Sequence, residues 1–174
     1  MLKDSVYAAS AIETLQKEEG LEGVQIAMDL NVSPQLVSNI KHGHRKLQKD
    51  IAKSAMTTYD SPEFIMQLLY EFSEGYTAPV ANGKVIDPHR LSFEEMTIKQ
   101  VKEVIQILDE VSLAKPPNET TKEEKVRIEQ VINELLDADM FINNLLAVLA
   151  KEYGFSLRKC KRNRVPYWKS KGWI

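Results

Sequence analysis

At 174 residues, with 43% hydrophobic and 28% charged side chains, the chain has material for one ordinary domain or two small ones and lacks the bias of a disordered or fibrous protein. Its one cysteine, Cys160, excludes an intrachain disulfide, and no apolar run approaches the roughly 18 residues of a membrane span. A formal net charge of -2 disfavours polyanion binding only as an average, because the charge is segregated.

Leu30 to Lys49 contains no Asp or Glu but carries Lys41, Arg45, Lys46 and Lys49, with His42 and His44 among them. Tyr153 to Ile174 is again free of acids and holds Arg158, Lys159, Lys161, Arg162, Arg164, Lys169 and Lys171. The compensating acids lie mostly between Glu94 and Glu152. The opening "MLKDSVYAAS" has no apolar core for a secretory signal, so a cytoplasmic location is expected, without membrane association.

Val6 to Lys17 places Ala9, Ile12 and Leu15 at helical spacing, with Gly20 as a stop. Gly23 to Leu30 is read as a second helix whose apolar face is Val24, Ala27, Met28 and Leu30. Asn31 follows, a residue that tolerates the left-handed backbone of a tight turn. Ser33 then supplies a helix cap and Pro34 a preorganised first position. Leu36, Val37 and Ile40 form the buried side of that third helix, Gln35, Ser38, Asn39 and Lys41 face outward, and Gly43 ends it. Leu47 to Met56 is a further amphipathic run, and Ser61, Pro62 and Glu63 open a fifth helix reaching about Ser73.

Residues 76–91 form a linker, in which Asn82-Gly83 suits a tight turn between Ala78–Ala81 and Lys84–Ile86; a tiny ribbon and irregular chain are the two readings. Ser92 and Glu95 form a capping box for a helix to Ser112, along which Val101, Val104, Ile105, Leu108 and Val111 recur at three and four. "AKPPNETT" breaks it, and Thr120 with Glu123, or Thr121 with Glu124, starts a long helix to about Tyr153. The expected fold is all-α: a five-helix domain over 1–75, the linker 76–91, and a long helical hairpin with a basic tail over 92–174.

The long helix is apolar nearly all round in its last turns, so one antiparallel neighbour cannot cover it. A second copy is the simplest partner, giving a homodimer through Leu135, Met140, Phe141, Ile142, Leu145 and Leu149. Two other readings are that a short helix from Phe155 with Tyr167, Trp168 and Trp173 completes the core within one monomer, or that the same face captures a host protein.

The run "IAMDLNVSPQLVSNIKHGHRKLQ" meets the needs of a helix-turn-helix: small Ala27 for close approach, Asn31 for the turn, Val37 and Ile40 as anchors. Gln35 and Asn39 carry amides that can pair bidentately with adenine, and the acid-free basic loop suits phosphate. These residues resemble the phage repressor and Cro type of regulators, the xenobiotic response element family, over about residues 6 to 73, with the core at Gln25 to Gly43. The resemblance implies a repressor-like domain in which Gln35, Ser38 and Asn39 face bases, while Gln25, His44, Arg45 and Lys46 approach phosphate; Lys41 joins the phosphate set by its charge. Two departures are Asn31, where glycine is commoner, and Pro34, which can offer a base only apolar contact. The tail "KEYGFSLRKCKRNRVPYWKSKGWI" is similar to the ends of prophage-encoded regulators of Gram-positive bacteria, a likeness that implies no activity by itself. The helix-turn-helix resemblance implies a double-stranded-DNA-binding repressor of mobile-element origin, associated with the nucleoid when bound.

Other constellations favour plainer readings. His42 and His44 lack a third ligand nearby, and Cys160 reads as an ordinary thiol. Asp109, Glu110, Glu134, Asp137 and Asp139 lack the repeated glutamate pattern of a helical pyrophosphohydrolase and read as a solvated face. No metal, no cofactor and no enzymatic activity are therefore expected. For the basic tail two readings stay open, a DNA-contacting arm or packing against Glu129, Glu134, Asp137 or Asp139.

Overall fold

The computed structural model describes residues 2–174 and is mostly helical. Its elements are β1 (Ser5–Val6), α1 (Ala9–Glu19), α2 (Gly23–Asp29), α3 (Pro34–Lys41), β2 (Leu47–Gln48), α4 (Lys49–Thr58), α5 (Pro62–Phe72), α6 (Arg90–Glu110), α7 (Lys122–Glu152) and α8 (Leu157–Ser170), with a 3-10 turn at Pro117–Glu119. They divide into two compact units, Met1–Val80 with Leu149–Ile174, and Ala81–Val148.

In the first unit α1 packs on α3 and α5, α2 on α3, and α4 on α5. Leu15, Ile26, Leu47, Phe64 and Leu68 are its largest fully buried side chains. Each such burial contributes roughly 1.5 to 3 kcal/mol. Val6 does not begin α1: it pairs with Leu47 in an antiparallel ladder and is buried there, so the helix starts at Ala9. Gly20 closes α1 in the left-handed conformation, as its position suggests. The apolar face of α2 is Ile26, Ala27 and Leu30; Val24 and Met28, expected on it, are exposed.

The sequence predicts a boundary that keeps 92–174 together, whereas the structure groups Leu149–Ile174 with the N-terminal helices. Two polar anchors account for this. The Arg158 guanidinium donates to the carbonyls of Met56 and Thr57, the free acceptors at the end of α4, and sits 4.0 Å from Asp60. Lys151 Nζ lies 2.8 Å from Glu18 Oε1 and 3.8 Å from Glu63 Oε1. Burial opposes the charge on Lys151, but the Glu18 hydrogen bond and the charges of Glu63 and Glu18 outweigh it and hold the ammonium above the ordinary lysine value.

In the second unit α6 begins at Arg90, capped by the His89 ring rather than by Ser92, whose expected capping box falls inside the first turn. Phe93 explains the earlier start: it is buried against Phe141 of α7, ring centroids 6.5 Å apart, which fixes that turn. At the other end Arg127 pairs with Glu110 at 2.9 Å, so α6 and α7 run in opposite directions. Thr121 and Glu124 supply the capping box of α7, the Thr121 N–H donating to Glu124 Oε2 at 2.7 Å and the Glu124 N–H to Thr121 Oγ1 at 3.2 Å. No ribbon forms at Asn82-Gly83. Neither residue takes the positive φ that the tight hairpin turn requires. The Ala81 N–H donates instead to the Asn144 side chain at 2.9 Å, and Ala81 and Ile86 pack against Phe93, Phe141 and Val148.

Candidate nucleic-acid interface

The first turn of α3 is set by its own sequence. Asn31 takes a φ of 52°, the Val32 N–H reaches back to the Ala27 carbonyl at 2.9 Å, and Ser33 Oγ accepts the Leu36 N–H at 3.2 Å ahead of Pro34. Val37 and Ile40 are buried and Leu36 half-buried, which fixes the rotation of α3 and leaves Gln35 and Ser38 exposed and Asn39 half-exposed. The Gln35 amide nitrogen donates to Asn39 Oδ1 at 3.1 Å. Joined so, the pair still presents the Gln35 oxygen as an acceptor and the Asn39 amide as a donor.

The chain after α3 folds back onto that helix. The Asn39 carbonyl accepts the His44 and Arg45 N–H groups at 2.8 and 3.1 Å, with Gly43 in the left-handed region. His44, Arg45 and Lys46 are exposed, Lys41 is half-buried and Gln25 is exposed. Gln25 already uses its side-chain oxygen to accept the Glu22 N–H at 2.7 Å, so only its amide N–H groups remain for a phosphate. His42 Nδ1 lies 2.8 Å from the Ser38 carbonyl and its ring stacks on His44. Among the described residues no group of three or more His, Cys, Asp or Glu converges as a metal site. Of the acids flanking the loop, Asp29 accepts the Tyr59 hydroxyl at 2.6 Å; burial and then this bond raise the phenol well above its ordinary value.

Tyr7 joins this surface without any local sequence signal. The β1–β2 ladder brings it beside the loop, where Lys46 Nζ stands 5.2 Å from its ring centroid.

The six side chains predicted for a dimer or partner face do not behave alike. Leu135 and Ile142 are exposed on α7. Phe141 is buried against Phe93, and Met140 and Leu145 pack on the same cluster, so these three serve the interior of their own unit. Leu149 is half-buried. The exposed apolar surface of α7 instead runs through Ile132, Leu135, Leu136, Ile142 and Leu146. No described helix is long and apolar enough to cross a membrane. Comparison with protein-family models, with curated proteins and with solved structures found no match.

Proposed function

We propose that this chain is a sequence-specific double-stranded-DNA-binding regulator whose α1–α5 region is a repressor-like reading head. The observation that carries the reading is the Gln35–Asn39 amide pair, held on the outer face of a capped helix beside an acid-free loop bearing Arg45 and Lys46. Amides read base edges in the major groove, and the cations supply the sequence-independent affinity. Repression by occlusion is the simplest mechanism such a protein offers. Two copies joined through Leu135, Ile142 and the exposed residues around them would present two heads to a two-fold site.

Selection of bound sequences from a random duplex pool tests the proposal. The wild type should enrich a two-fold symmetric site. Gln35→Ala with Asn39→Ala should abolish the enrichment, each change costing about 1 to 3 kcal/mol at the selected site. Equal loss on random DNA would sink base reading. A folded wild type that enriches nothing would move the function to the exposed face of α7 and a host-protein partner, favoured by its apolar exposure.

A further inference from the structure

α8 is a helix made from residues that repel one another. From Tyr153 onward the chain has no Asp or Glu, and Arg158, Lys161, Arg162 and Arg164 recur three or four apart, where like charges meet on a helix surface. Pro166 stands inside the helix and removes a donor. No α8 residue is fully buried, and only Leu157, Arg158, Val165 and Trp168 are half-covered. Packing therefore compensates little of the repulsion.

The cations fall into two groups. Arg158 is committed to the end of α4, while Arg164 lies 4.1 Å and Lys171 5.7 Å from the Tyr167 ring, which also meets Trp173 edge-on. Lys159, Lys161, Arg162 and Lys169 are exposed, and among the described residues none has a carboxylate within ion-pair reach. Lys159, Arg162 and Lys169 follow one flank at spacings of three and seven. That stripe is about 15 Å long and carries three cations along one flank.

We propose that α8 is a second phosphate-binding element, gripping the duplex backbone through Lys159, Arg162 and Lys169 while α3 reads bases. This rests on the DNA-binding reading of the head in one respect, the choice of duplex as the polyanion. Duplex is favoured over an anionic membrane because the exposed flank is cationic and lacks the continuous apolar face by which an interfacial helix inserts. It is also favoured because Arg158 fixes α8 in the same compact unit as the basic loop.

The test is the salt dependence of binding to a non-specific duplex, read by fluorescence anisotropy between about 50 and 200 mM salt, on the full chain. Three proteins are compared: wild type, Lys159→Gln/Arg162→Gln/Lys169→Gln, and Arg45→Gln/Lys46→Gln. The α8 variant should flatten the log–log slope by roughly 2 to 3 with unchanged helix content by circular dichroism, and Lys159→Arg/Arg162→Lys/Lys169→Arg should restore it. An unchanged slope in the α8 variant alongside a flattened one in the loop variant would overturn the α8 proposal and leave the head reading intact. The reverse pattern would support α8 and count against the head. Absence of duplex binding by the wild type would overturn both. Co-sedimentation with phosphatidylserine vesicles is run beside it: vesicle binding lost in the α8 variant, with its duplex binding unchanged, would overturn the α8 proposal alone.

Discussion

Asn31 shows how much one backbone angle decides. Its φ of 52° lies where a side chain normally collides with its own carbonyl, at a cost of roughly 1 to 2 kcal/mol for an ordinary residue. Asparagine tolerates this and glycine avoids it. Asn31→Gly should therefore leave the urea midpoint close to wild type, and Asn31→Val should lower stability by about 1 to 2 kcal/mol or more. Equal midpoints for the two variants would mean that the turn relaxes and does not fix α3. The same residue scale shows why the outward face of α3 could be read in the sequence: Ser33, Pro34, Val37 and Ile40 act within one or two turns of each other, so spacing alone sets which side faces out. Tyr7 was illegible for the opposite reason, since its place beside Lys46 depends on a pairing forty residues away in the chain, Ser5 with Gln48 and Val6 with Leu47.

Helix starts were legible at Ser33 and at Thr121 with Glu124, where cap and partner are neighbours and nothing else competes for them; the Ser61 hydroxyl goes to Glu18 and makes no cap. Where a distant side chain intervenes the local grammar loses: Phe93 packs on Phe141 and α6 begins before Ser92, and the Asn144 amide takes the Ala81 N–H so that no ribbon forms. The turn end of the α6–α7 pair also carries a pH dependence. Glu124 is held below its ordinary value first by Lys115 and then by the Thr121 backbone N–H, and Glu110 first by Gln106 and then by Arg127. A carboxyl whose folded pKa is depressed contributes stability above its ordinary value of 4.5, and that contribution fades as pH falls through the lower folded value. Carboxyl-detected NMR titration should find both midpoints below 4.5 and see the capping box loosen only beneath that pH. A Glu124 midpoint at or above 4.5 would remove the Lys115 pair from the account.

At the scale of the molecule, the apolar periodicity of α7 was visible but its division between interior and surface was not, because that division is set by where α6 lies. Phe141 and Leu135 separate the two roles. Phe141→Ala should cost about 3 to 5 kcal/mol of folding stability, the price of a cavity beside Phe93. On the proposed pairing of two copies, the wild type should scatter light as a dimer, and Leu135→Asp with Ile142→Asp should leave folding nearly intact and give a monomer. A wild type that is monomeric at all concentrations would withdraw the two-fold operator.

The Arg158 anchor has a consequence in time. The guanidinium and the Met56 carbonyl it caps are 102 residues apart, so a ribosome adding about 5 to 20 residues per second exposes α4 for roughly 5 to 20 seconds before the anchor exists. During synthesis, the N-terminal helices therefore exist first in an uncapped form, with the end of α4 bonded to water.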